Sequence, residues 1–122
     1  MITSTLVSSS AIATPVRVFK STNTGDAGGT NEERAVTTII MCNKETPNAT
    51  DETINAVTIS VHMVKNGQVY SDSNIIINNL VVPAGETVFF AEERVVLGAG
   101  DEIWIGADNA NRLAVTVSTI PV

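Results

Sequence analysis

Aromatic side chains are scarce in this chain: one Trp, one Tyr and three Phe make up 4% of its 122 residues. Sugar-processing sites rest on aromatic platforms and on two carboxylates across a cleft, and no such platform is evident. Cysteine is nearly absent. Cys42 stands alone, which excludes an internal disulfide and suits a reducing compartment. Charge is thin at 16%, against about a quarter in ordinary globular chains. The seven basic residues are scattered and outweighed by thirteen acidic ones, for a net charge of −6. No cluster can neutralise phosphates, so neither nucleic acid nor an anionic membrane surface is an expected partner. No apolar run approaches the roughly 20 residues of a spanning helix. The first seven residues lack the charged and apolar regions of a signal peptide, so cytosolic synthesis is expected.

Branching at Cβ is abundant. Val, Ile and Thr supply 43 residues and Leu only four, which favours pleated strands over helices. Periodicity agrees. In residues 56–65, Val57, Ile59, Val61 and Met63 alternate with Thr58, Ser60 and His62; near the end, Leu113, Val115 and Val117 alternate with Ala114, Thr116 and Ser118. Residues 34–43 are apolar on both faces, as befits a strand central in its sheet. Asn66-Gly67 predicts a type I′ hairpin with a return strand beginning at Val69-Tyr70. A further strand at 75–82 is expected to bulge at Asn78-Asn79, and Pro83-Ala84-Gly85-Glu86 reads as a turn with Pro at its favoured position. Shorter strands follow at 87–90, 94–97 and 102–106. About eight or nine short strands at this spacing predict an all-β fold, an antiparallel, jelly-roll-like β-sandwich.

The chain divides into an N-terminal strand or arm (residues 1–20), a Gly-rich, exposed and flexible loop (21–33) and a sandwich core (34–122), all within one domain. The loop lacks the GxxxxGK[ST] of a phosphate cradle. The Asn48-Ala49-Thr50 sequon is empty without secretion.

No residue is assigned a catalytic, cofactor-binding or metal role. His62 reads as a solvated strand histidine and Cys42 as a buried, inert thiol, not a nucleophilic dyad. The acidic pairs Glu32-Glu33, Asp51-Glu52 and Glu92-Glu93 read as solvated loop charges. Asp108-Asn109-Ala110-Asn111 lacks the spacing and closing Glu of a calcium loop and reads as an Asx-rich turn. Trp104 is more telling, because its neighbours Ile103 and Ile105 point inward. An outward indole is an interface anchor unless a loop or the N-terminal segment covers it. Tyr70 is treated alike. Residues 1–14, with Leu6 and Val7, are too polar for an independent core strand and are expected to add to a neighbouring subunit's sheet.

The runs VTTIIMCN, AVTISVHMVKNGQ, NLVVPAGETVFF and VVLGAGDEIWIGADNANRLAVTVSTI resemble small virion structural proteins of tailed bacteriophages, over about residues 35–120. The resemblance implies a decoration, neck or tail protein of the virion, free of cofactors. Such a protein assembles as a homo-oligomer with major capsid or neck and tail proteins after synthesis in the host cytoplasm. Capsid decoration is the first expectation. A neck or tail role (collar, baseplate or fibre) and a receptor- or carbohydrate-binding module are the alternatives, with a small hydrolase last.

Overall fold

The computed structural model describes residues 1–90 and 94–122. Among the described residues nine strands form two antiparallel sheets: β1 (Ile2–Leu6), β2 (Val16–Lys20), β3 (Arg34–Asn43), β4 (Val57–Val64), β5 (Ile75–Val82), β6 (Thr87–Phe90), β7 (Val95–Leu97), β8 (Glu102–Ala107) and β9 (Leu113–Pro121). Sheet A runs β1-β9-β3, with β6 and β7 as two segments along the free side of β3; sheet B runs β2-β8-β4-β5. The order has a simple origin. One long hairpin ribbon pairs β1 with β9, β2 with β8, β3 with β6 and β7, and β4 with β5; winding the ribbon then adds β3·β9 and β4·β8. That is a jelly roll, two sheets that shield most of each other's apolar surface.

The expected alternation in β4 and β9 holds. Val57, Ile59 and Val61 meet Leu113, Val115 and Val117 between the sheets, and all six are buried with Ile103, Ile105 and Phe19. Strand β3 is central in its sheet, as its two-faced apolar pattern predicted. A bulge at Thr37 shifts its register, so Val36 joins Ile39 and Met41 on the core side. Strand β5 bulges at Asn78-Asn79, where Asn79 takes a left-handed φ of 54°.

Three expectations need correction. Asn66-Gly67 is not a type I′ hairpin. Only Gly67 has a positive φ (83°), the type II pattern, and Gln68 N donates to Lys65 O at 2.9 Å. The chain then makes no strand at Val69-Tyr70; it runs through a 3₁₀ turn at Asp72–Asn74 before β5 begins. In the next turn Glu86 N donates to Pro83 O, placing Pro83 at the first position, not the second. The third correction concerns the N-terminus. Strand β1 pairs with β9 of its own chain from Ile2↔Ser118 to Leu6↔Ala114, and Val7 is fully buried in the core. Val7 is therefore no interface residue, whereas Leu6 on the outer face is exposed. The loop 21–33 is exposed along most of its length, but Ser21, Thr22 and Gly25 are buried. Thr22 Oγ1 donates to Asp26 O and accepts from Gly25 N, each at 2.9 Å.

Candidate functional site

The single Trp, the single Tyr and the single His of the chain converge on the outer face of sheet B. Register places them: Arg17 of β2 lies opposite Trp104 of β8, and Trp104 lies opposite His62 of β4. Above this row stands Tyr70, brought back by the 66–74 connection. Its ring is 5.5 Å from Trp104 and 6.0 Å from His62, tilted to both. Trp104 thus faces away from the core, as expected, but Tyr70 packs over it and leaves it half-buried. Glu102 joins the row by accepting from Arg17 Nη1 at 2.9 Å and from Trp104 Nε1 at 3.3 Å.

His62 is not the solvated histidine that its alternation implied. It points out of the sandwich yet is only 6% exposed, because the 69–75 segment closes over it. The cause is the turn at Asp72–Asn74, whose capping residues Ser71 and Asn74 bond each other reciprocally. Asn74 Nδ2 donates to Val69 O, so its Oδ1 is the atom turned to Ser71 N and to the imidazole. His62 Nδ1 lies 2.9 Å from that Oδ1 and 3.1 Å from Ser71 O. Both partners are acceptors, so Nδ1 is the donor to them, and Nε2 is the ring nitrogen left for another partner. The spacing Ser71-x-x-Asn74, a variant of the capping-box pattern, is the sequence signal that could have placed this turn.

Beside the aromatic row lies a groove of about 510 Å³. Ser60 and His62 form its floor, the 70–72 segment one wall, and Ile12 and Pro15 the other. The far wall is held by Ser9, whose hydroxyl lies 2.9 Å from both Ala11 O and Thr14 O, which share its one proton, and accepts from Ala107 N at 3.1 Å. It crosses Gly106 so closely that a Cβ there would come 2.4 Å from Ile12 O. Asn78 and Asn79 both line the rim although they are consecutive in a strand. The bulge explains this, since Asn79 in the left-handed region re-aims its side chain.

Cys42 does not join this site. It lies on the outer face of sheet A, half-exposed, on the opposite sheet from His62, so the two cannot form a dyad and the thiol is not the buried one expected. Glu92 and Glu93 lie outside the described residues. Asp108 accepts from Thr58 N of β4 at 2.9 Å, a bond to the neighbouring strand and not one within the 108–111 turn. Among the described residues no group of three His, Cys, Asp or Glu side chains could hold a metal ion, and no helix is long and apolar enough to cross a membrane.

A second surface is notable for what it omits. Across the outer face of sheet A run the rows Ser4–Thr116–Ile40–Phe89 and Leu6–Ala114–Cys42–Thr87, with Ile2, Ile120 and Val96 toward the other end. None of these residues is charged. Phe89 is 65% exposed in the middle of a strand. No known protein family matches the chain, and no curated protein or solved structure matches it.

Proposed function

We propose that this protein is a non-enzymatic structural component of a tailed-phage virion, a capsid decoration protein that works by packing against copies of itself and against other virion proteins. The observation that supports this best is the outer face of sheet A, whose strands carry no charged side chain there among the described residues. A strand face turned to water ordinarily carries charge, and a bare one seats against protein without desolvating ions. It also lets two chains of net charge −6 approach without like charges meeting at the contact. Strand spacing and rise make the face roughly 20 Å by 24 Å, or about 480 Å². A stable two-body interface buries about 800 Å² per partner, so this face holds best inside a shell of repeated contacts, where avidity adds. The resemblance to small virion proteins points the same way. The jelly roll serves viral capsid and lectin domains alike; that is an analogy of fold, and the charge-free face is the argument of site.

Phe89→Asp tests the assignment, because Phe89 lies outside the core. The wild-type protein should self-associate in sedimentation runs and co-sediment with purified phage particles. The variant should melt at the same temperature yet lose about tenfold or more in association, since the contact would then trap an unpaired carboxylate. A variant that assembles at full occupancy, or a wild-type chain that stays monomeric and binds no virion component, refutes the proposal. Electron density at the neck or tail would move the site of assembly without changing its mechanism.

A further inference from the structure

The groove over His62 has the chemistry of a ligand site that packing through sheet A does not use. Its floor is a nine-tenths buried imidazole with one nitrogen committed and one not. Nδ1 is engaged by Asn74 and Ser71, and Nε2 has no hydrogen-bond partner among the described residues. At the rim, neither the Asn78 nor the Asn79 carboxamide bonds to a described residue, so each offers a donor and an acceptor. Ile12 and the Tyr70 ring supply apolar surface beside these polar groups. Asp72 is the one charged residue among the lining, and the net charge of −6 around it repels an anionic ligand. An extended peptide is poorly served, because β4 and β8 beneath the groove already have strands on both sides and offer no free backbone ladder.

We propose that this groove binds a neutral saccharide of one or two rings. A sugar ring has an apolar C–H face, which suits Tyr70 and Ile12, and hydroxyls, which pair with carboxamides and with the imidazole Nε2. The volume of about 510 Å³ falls among ligand pockets generally. Scarcity of aromatics argued against sugar binding when they were only counted. Placed in space, the single Trp and the single Tyr stand together beside the one groove that holds the single His. The two sheets face opposite ways, so packing through sheet A would leave this groove open to solvent.

Trp104 is the only tryptophan and lies 5.5 Å from Tyr70, so its emission reports on the groove. The full chain should be titrated with neutral mono- and disaccharides, including glucose, galactose, N-acetylglucosamine, maltose and lactose, with sialic acid and unrelated peptides as comparators. The expected result is a saturable change for at least one neutral sugar, with a dissociation constant on the order of 1 mM or tighter. Tyr70→Ala and Asn79→Gly should each weaken it about tenfold at unchanged melting temperature; glycine keeps the left-handed backbone and removes only the carboxamide. Phe89→Asp, on the opposite face, should leave sugar binding untouched, which separates this inference from the assembly proposal. The inference is overturned by no saturable response to any neutral sugar, by a response that both groove variants retain, or by tighter binding of sialic acid or peptide.

Discussion

Replacing Asn43 with alanine should cost this fold more than any single surface change, although asparagine at a strand end looks like ordinary punctuation. Asn43 ends β3 and is completely buried. Its Nδ2 donates to Asn55 O and to Val82 O, both at 2.9 Å, and its Oδ1 accepts from Glu45 N at 3.0 Å. One carboxamide therefore ties the end of β3 to both ends of the 44–55 connection and to the end of β5. Alanine leaves Val82 O buried without that donor, at about 1–3 kcal/mol, and loosens two part-buried groups at about 0.5–1 kcal/mol each. The sum, roughly 2–5 kcal/mol, is a large share of the 5–15 kcal/mol typical of a domain. Calorimetry should show a melting temperature lower by roughly 10 °C or more. The backbone bonds Asn43 N to Glu86 O and Gly85 N to Asn43 O do not involve the side chain, so the 83–86 turn should survive.

Asn43→Asp sharpens the test because its effect has a sign. A carboxylate there would face two carbonyl oxygens in a buried place, so its folded-state pKa must rise above the unfolded value near 4. Such a group loses stability as pH rises through the folded pKa, and the deficit relative to wild type should be small below about pH 4 and grow toward pH 7. Urea denaturation at both pH values measures it. An alanine variant within about 1 kcal/mol of wild type, or an aspartate variant indifferent to pH, would refute the account of Asn43 as a buried tie.

Two further perturbations address the groove and the 44–55 loop. Gly106→Ala should displace the segment that walls the groove, because the new Cβ meets backbone at Ile12 O and not a flexible side chain; the expected cost is about 1–3 kcal/mol, with a shifted Trp104 indole resonance. Asp51 accepts from Thr53 Oγ1 at 2.7 Å and from Thr53 N at 2.9 Å. The side-chain bond foremost, then the backbone one, holds its pKa below the ordinary 3.8. Its contribution to stability is present above the unfolded pKa and fades as pH falls through the folded one. Thr53→Val should raise the Asp51 pKa toward 3.8 in an NMR titration, and no change would sink that assignment.

What could be read from the sequence was local and periodic. The inward residues of β4 and β9, the central place of β3 and the bulge at Asn78-Asn79 all follow from side-chain alternation or from residues that tolerate a left-handed backbone. The misses share a different cause. His62 obeys the alternation and points outward, yet it is buried by residues 8–12 positions later that only the tertiary fold brings back over it. Trp104 is covered by Tyr70 of the same connection, the alternative that the sequence leaves open for its indole. The polar, Ser-rich residues 1–14 form no core strand, since β1 has no buried residue, but their polarity could not show that β1 pairs with β9 of its own chain. In the fold the Ser9 hydroxyl serves as a cap for three backbone groups, and Val7 near it supplies the buried contact. Period-two patterns record which face a residue takes within its own sheet. They carry nothing about which segment will later cross that face.

The edges of the sandwich explain why a face, and not a strand addition, is the surface proposed for assembly. A free edge presents unpaired backbone groups to any passing chain, and proteins blunt it with short strands and bulges. Here β1 has five residues, β6 four and β7 three. Strand β2 has five and is broken by a register shift between Arg17 and Phe19. Strand β5 is the one long edge, at eight residues, and it shifts register twice against β4. Addition of a neighbour's strand would need a regular ladder that none of these edges offers for more than about five residues. The N-terminal strand is already spent within its own sheet, on β9. Lateral packing is different. The rows across sheet A are regular from β1 to β6, their side chains are uncharged, and their centre is an exposed phenylalanine. If the protein assembles, charge placed at Phe89 should therefore abolish the contact, whereas proline placed at Ser4 should at most loosen β1 from its own sheet.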